Sequence, residues 1–277
     1  MEDSSYIKDV AKALEAREYS KVKLAKLSDY SKSLNTTKKE ILLQTLDYTK
    51  HSAIVLTLLN DTKCAEPIFF ITKFLRELNV EQIHALSGFK QLCQVVNNFN
   101  ESFLENKVAV KLTKALYVAL EKIIAHDKGL TMFHTIYVKH CLQTKNYKAT
   151  LPIIEKPVMN IAKSFEMEER DYLNYFFYSA YAFTALERYD DAVKILTLAI
   201  QISGREGRDF NQAINEIRNK LTLLLLRKGF SQKIVNKLTQ FAPSQQSFLM
   251  DSDSAGALPS AYKKLSEPEV FANAVNF

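Results

Sequence analysis

Glycine and proline are scarce in this sequence, six of each among 277 residues, well under half of ordinary usage. Tight turns and bulges are therefore few, which argues against a many-stranded β protein and for an all-α chain. Cysteine is scarce as well. Cys64, Cys93 and Cys141 are odd in number, widely spaced and set in helix-like segments, the pattern of reduced core thiols. Long hydrophobic runs are missing too: the longest uncharged stretch, residues 172–186, holds four tyrosines and falls short of the roughly 20 apolar residues a spanning helix needs. No membrane contact is expected. The start, "MEDSSYIKDVAKALEAREYS", carries acids and an amphipathic pattern where a signal peptide has a cationic patch and an apolar core, so the chain reads as intracellular.

What is present fits an ordinary globular protein: 47% hydrophobic and 25% charged residues, enough chain for one large domain or two small ones. The net charge of +6 and pI near 9.0 raise nucleic acid as a partner. Its distribution argues otherwise. Residues 1–50 mix ten basic with eight acidic side chains, as a solvated surface does. The one basic concentration runs from 205 to 237, where Arg205, Arg208, Arg218, Lys220, Arg227, Lys228, Lys233 and Lys237 face only Glu206, Asp209 and Glu216. It reads as a solvated face or a protein-docking surface, with Arg218, Arg227 and Lys228 as candidate docking residues. No glycine-rich aromatic RNA motif or zinc finger accompanies it, so no nucleic-acid partner is expected.

Apolar residues recur at spacings of three and four almost throughout. Examples are Ile71, Phe74, Leu75 and Leu78; Leu86, Phe89, Cys93 and Val96; and Ile214, Ile217, Leu221, Leu224 and Leu225. Thr37 with Glu40 and Ser266 with Glu269 fit the capping box at helix starts, and Gly129 and Gly229 suit helix ends. Three segments repeat one layout, a helix ending near Leu, a charged turn with an aromatic residue, and a second helix: "CLQTKNYKATLPII", "ALERYDDAVKIL" and "LLRKGFSQKIVNKL". Their aromatics, Tyr147, Tyr189 and Phe230, are 42 and 41 residues apart.

In the middle copy the sizes match the tetratricopeptide scheme. Large Phe176, small Ala180 and large Phe183 precede Tyr189, then Ala192, Leu196 and Ala199 follow, so small residues admit close helix approach and large ones fill the gaps. The expected fold is an all-α, right-handed α-solenoid of tetratricopeptide-like antiparallel helix pairs. Within such a stack a helix flanked on all sides is apolar all round, which accounts for the uncharged run. Tyr172, Tyr175, Tyr178 and Tyr181 are expected to place rings in the core and hydroxyls toward edges or carbonyls. The domain reading is N-terminal helices over 1–45, a repeat arm over 46–242, a Ser-rich loop over 243–260 bounded by Pro243 and Pro259, and the start of final helices over 261–277.

Chemistry is not signposted. His51, His84, His126, His134 and His140 include no HExxH or HxH spacing, and His134 and His140 fall on different helix faces, so neither a metal nor any other cofactor is expected. No phosphate-binding glycine loop, GxSxG or catalytic thiol motif occurs. Asp190 and Asp191 suit helix capping better than paired catalysis, since adjacent residues do not face one another on a helix.

The order of several segments resembles subunit three of the COP signalosome. "LDYTKHSAIVL" is similar to that family's Leu-Asp, Lys-His-Ser stretch, "LNVEQIHALSGFKQLCQVV" to its helix with an Ile-His pair and a later Leu-Cys, and "LTMFHTIYVKHCLQTKNYKATLPII" to its Lys-x-aromatic-Lys, Leu-Pro segment. The Tyr-rich helix and "IRNKLTLLLLRKGF" resemble its following pairs. The likeness runs from about Leu46 to Lys237 with some similarity from Ala261, and it rests on the shared order rather than on one diagnostic motif. It implies helical repeats that precede a winged-helix module, the two forming a PCI domain, with this chain ending before that module is complete. It further implies a non-catalytic scaffold, cytoplasmic and nuclear, in the complex that removes the ubiquitin-like modifier Nedd8 from cullin-RING ligases, with the other subunits as direct partners. Repeat-bearing subunits of the proteasome lid or of the translation initiation factor three complex share the architecture and stand as the alternative.

Overall fold

A computed structural model describes residues 3–60, 66–103, 109–158, 160–162, 165, 167–201 and 208–229. The chain divides into two compact units, Met1–Lys128 and Gly129–Phe277. Among the described residues every regular element is helical, and the chain has the all-α helical-repeat fold that the periodicity predicts.

The first unit contains α1 (Asp3–Glu15), α2 (Leu24–Ser33), α3 (Thr36–Thr45), α4 (Ser52–Asn60), α5 (Pro67–Glu77), α6 (Val80–Ala85), α7 (Phe89–Phe103) and α8 (Ala109–His126). Its hub is α4. Every residue from Ser52 to Leu59 is buried, because α2, α3, α5, α6 and α7 all pack around it. The boundary expected between 45 and 46 does not divide the structure, since α2 and α3 both rest on α4.

A buried helix needs partners for its ends as well as for its sides. Gln82 of α6 supplies them: its Nε2 donates to the Lys50 carbonyl at 2.9 Å, and its Oε1 accepts from the Ala53 N–H at 2.8 Å. Asn79 donates from Nδ2 to the Thr49 carbonyl and from its backbone N–H to Ser52 Oγ. At the other end of this group, Lys122 of α8 donates to the carbonyls of Arg76 and Leu78, closing the C-terminus of α5.

The second unit contains α9 (Met132–Gln143), α10 (Leu151–Ile154), α11 (Glu169–Ala185), α12 (Tyr189–Ile200) and α13 (Arg208–Arg227). The uncharged run forms α11, which packs against α9, α12 and α13. That flanking explains its composition, with one departure: Tyr175 is buried but Tyr181 is 43% exposed. Tyr172 sends its hydroxyl to the Met167 carbonyl at 2.9 Å.

Four helix ends share one device. Arg17, Ser87, Lys145 and Glu187 have φ of 58°, 53°, 55° and 60°. In each case the next N–H, that of Glu18, Gly88, Asn146 or Arg188, donates at 2.8 Å to the carbonyl five residues back. This left-handed reversal ties off the last carbonyls of a helix. Two residues beyond each left-handed position an aromatic opens the next element: Tyr19 and Tyr147 begin 3-10 turns, and Phe89 and Tyr189 begin α7 and α12. The repeat seen in the sequence at Tyr147 and Tyr189 is thus part of a wider series. Phe230, the third copy's aromatic, lies outside the described residues, but Gly229 does carry the expected positive φ, 87°.

Three local expectations change. The cap of α3 is Asn35, whose side chain accepts from the Lys38 N–H at 2.9 Å; Thr37 lies inside the helix, because Asn in extended backbone reaches the free N–H groups first. After Tyr147 the second helix of the pair shrinks to a 3-10 turn, Tyr147–Thr150, and the four-residue α10, with Pro152 near its start. Gly129 does not cap α8. A Cβ there would stand 2.2 Å from the Ala162 nitrogen, and its absence lets residues 160–162 run beside Leu130, which donates to the Asn160 carbonyl at 2.9 Å and accepts from the Ala162 N–H at 3.0 Å. Ser266, Glu269 and the 243–260 loop lie outside the described residues.

The left-handed turns carry a testable cost, since a β-branched side chain is least tolerated at positive φ and glycine is free there. Glu187→Val is expected to lower unfolding free energy by about 1–2 kcal/mol, and Glu187→Gly to hold or raise it. Urea titrations of the two variants against the parent chain check both directions.

Candidate functional site

The middle repeat places its named residues on two contacting helices. Phe176, Ala180 and Phe183 of α11 and Ala192, Leu196 and Ala199 of α12 are all buried, none more than 3% exposed. Tyr189, half-buried, opens α12. Between the helices stands a residue that periodicity does not reveal. Arg188 lays its guanidinium 4.9 Å from the centre of the Phe183 ring, donates from Nε to Asp191 at 2.8 Å and pairs with Glu155, the residue after α10. One side chain therefore joins the end of α11, the first turn of α12 and the end of α10. The only sequence signal for it is an arginine just ahead of the turn aromatic in an acidic setting.

The basic residues singled out for docking are placed differently from one another. Arg227 sits over the Tyr189 ring at 4.5 Å, and Lys228 forms an ion pair with Asp190. Both are engaged inside the chain. The last turn of α13 brings cations, and the first turn of α12 brings acids, so each charge meets the helix end whose dipole favours it. Asp190 and Asp191 accordingly serve as first-turn ion-pair partners rather than as caps; the residue in the capping position of α12 is Arg188. Arg218 is half-buried, with its Nε buried and without a hydrogen-bond partner among the described residues.

Other polar groups also serve helix ends. His134 of α9 accepts the Thr131 backbone N–H at its Nδ1, 3.1 Å away, and that nitrogen lies 2.9 Å from Thr131 Oγ1. An Nδ1 that accepts an N–H carries no proton, so the ring is neutral with its proton on Nε2. Burial pushes its pKa down to about 4. Asp171 likewise accepts the Glu168 N–H at 3.2 Å at the start of α11. Cys93 and Cys141 are buried free thiols; burial pushes Cys141 up to about 12, which removes it as a nucleophile. Cys64 lies outside the described residues. The fold brings together one histidine pair that spacing did not, His84 and His126, with rings 5.0 Å apart. Among the described residues no group of three or more His, Cys, Asp or Glu side chains is arranged to hold a metal ion, and no helix is long and apolar enough to cross a membrane.

Two consequences are measurable. Ala180→Leu adds three heavy atoms to a fully buried position of α11 and is expected to cost about 1–3 kcal/mol by overpacking, read as a lowered urea midpoint. For His134 the unfolded chain binds a proton near pH 6.5 and the folded chain only near 4. Between those values the unfolded state holds more protons, so stability contributed by the neutral ring is complete above about pH 6.5 and falls as pH drops toward 4, by a total on the order of 3 kcal/mol. A His134→Asn variant is expected to lose that slope, which pH-dependent urea denaturation measures.

Comparison with known proteins agrees with this architecture. The family model described as COP9 signalosome complex subunit 3, N-terminal helical repeats, matches residues 15–205. The COP9 signalosome complex subunit 3 of Dictyostelium discoideum is 31% identical over 131 residues, covering 46% of this chain and 31% of that protein. The subunit of the same name from Drosophila melanogaster is 22% identical over 184 residues, covering 57% of this chain and 41% of that protein. The chain thus spans well under two thirds of the curated relatives it matches. The matched region contains both halves of the hydrogen-bonded group around α4, which are the "LDYTKHS" and "LNVEQIH" stretches, and the whole joint at Arg188. Both groups lie within the part that matches, and the chain belongs to the COP9 signalosome complex subunit 3 family, in its N-terminal helical-repeat region.

Proposed function

We propose that this chain is a non-catalytic scaffold of the COP9 signalosome, working in cytoplasm and nucleus, and that it contributes to removal of Nedd8 from cullin-RING ubiquitin ligases by holding other subunits in place. Family membership over residues 15–205 is the observation that carries the reading. The use of polar groups supports it. Gln82, Asn79, Lys122, His134 and Arg188 each satisfy a helix end or join two helices. Side chains occupied in this way build a rigid surface. The clefts are consistent with that use: one of about 340 Å³, lined by Glu15, Arg17, Thr49 and Gln82 among others, opens where the Gln82 amide is already bonded to backbone. Direct partners are other subunits, cullin-RING ligases are reached through them, and neither nucleic acid nor membrane has a role.

Size-exclusion chromatography of the purified full chain with the other signalosome subunits, followed by a deneddylation assay on a Nedd8-conjugated cullin, tests this. The chain is expected to co-elute with the subunits and to release no Nedd8 alone. Failure to co-elute overturns the scaffold role, and Nedd8 release by the isolated chain overturns its non-catalytic character.

A further inference from the structure

The chain between α9 and α11 is anchored at two places and held differently between them. The first anchor is the 3-10 turn Tyr147–Thr150. Tyr137 of α9 donates from its hydroxyl to the Ala149 carbonyl at 2.7 Å, and Thr150 is fully buried, its own hydroxyl donating to the Tyr147 carbonyl at 2.7 Å. The second anchor is the pairing of Leu130 with Asn160 and Ala162. Between them lies α10, a helix of one turn. Its end is closed by two backbone bonds, from the Glu155 N–H to the Leu151 carbonyl at 3.1 Å and from the Lys156 N–H to the Ile153 carbonyl at 3.3 Å. A single turn gains almost nothing from helix propagation, so side chains keep it in place. Ile153 and Ile154 are buried, while Pro152, Glu155, Lys156 and Pro157 are exposed.

The ion pair of Glu155 with Arg188 links this turn to the start of α12. Exposed ion pairs are ordinarily worth little, because two long side chains give up their freedom to form one contact. Here the arginine is already fixed. Its backbone N–H donates to the Phe183 carbonyl at 2.8 Å, its Nε donates to Asp191 at 2.8 Å, and its guanidinium lies 4.9 Å from the centre of the Phe183 ring. The planar fork therefore presents its remaining donors to Glu155 with little freedom left to lose. Only Glu155 is ordered by the pairing.

We propose that Arg188 is a latch for α10: residues 151–156 open and close as a local unit between their two anchors, and the pair with Glu155 sets how much of the time the unit is closed. Opening uncovers Ile153 and Ile154. It leaves the longer helices in place, because α11 packs directly on both α9 and α12. A unit of this size moves without unfolding what surrounds it.

Hydrogen–deuterium exchange of the full chain tests this, read on peptides covering 151–157, 172–186 and 189–200 and corrected for the intrinsic rates of each sequence. Glu155→Gln keeps the shape of an exposed side chain and removes its charge. It is expected to speed exchange in 151–157 about threefold, the scale of one ion pair, and to leave the other two peptides unchanged. Arg188→Met keeps an apolar stem over Phe183 and leaves the sequence of 151–157 intact, and it is expected to give the same acceleration there. Salt at about 0.5 M is expected to speed exchange of 151–157 in the parent chain and to have no such effect in either variant. Unchanged exchange of 151–157 in Glu155→Gln means that Ile153 and Ile154 alone hold the turn, which overturns the latch. Acceleration shared equally by 172–186 and 189–200 makes the pair a support of the whole unit and overturns the local opening. A salt response equal in parent and variants places the sensitivity elsewhere and overturns the role of the pair.

Discussion

Each α-helix leaves four N–H and four C=O groups without intrahelical partners, and in this protein most helices are short, so much of the backbone belongs to an end. Satisfying those ends is the constraint on which the rest depends. The left-handed turns at Arg17, Ser87, Lys145 and Glu187 tie off four C-termini by backbone bonds alone. Where a second helix lies alongside, its side chain does the work: Gln82 and Asn79 for α4, Lys122 for α5, and His134 within its own helix for α9. A side chain that satisfies a neighbour's end also fixes where that neighbour lies, so capping and tertiary arrangement are one set of contacts. Hydrophobic burial supplies most of the driving force, but it does not specify angle or register as these bonds do.

This distinction separates what was legible in the sequence from what was not. Burial has a period, and the three-and-four spacing of apolar residues located the helices and the fold class. The uncharged run at 172–186 announced a helix flanked on several sides, and α11 is one. The more thoroughly buried α4 has no such signature, because eight buried residues are too few to stand out as a run. Size alternation singles out Phe176, Ala180, Phe183, Ala192, Leu196 and Ala199, and all six are buried. The aromatic turns are half legible: Tyr147 and Tyr189 are 42 residues apart, whereas the turns at Arg17 and Ser87 recur at other intervals and, beyond the Ala-Leu that precedes both Ser87 and Glu187, share only the aromatic two places on.

The misplacements concern polar residues, and for one reason. A polar side chain pairs with whatever the fold brings near, often more than 30 residues away in sequence, so its role has no local signature. Thr37 and Asn35 are both acceptable caps; backbone conformation chose Asn35. Arg227 and Lys228 looked like free cations on a basic stretch, yet α12 turns back to meet them with Tyr189 and Asp190. Arg188 has no signature in the sequence and is the joint of three elements. Family resemblance is legible where these contacts are not because it rests on the order of segments, and two of the resembling segments hydrogen-bond to one another around α4.

Gly129 shows how a missing atom governs a longer stretch of chain. Because residues 160–162 fit against it, the bonds from Leu130 to Asn160 and from Ala162 to Leu130 close a loop of about thirty residues that contains α9 and α10. The number of conformations available to a chain segment depends on whether its ends are held together, and closing them removes a share that grows only slowly with length. If α10 loosens while the clasp holds, the released segment remains a ring and gains less entropy than an open strand does. The clasp therefore acts on the partly opened states of the protein, raising their free energy, and a side chain at position 129 shortens the lifetime of the α9–α10 arrangement without touching either helix.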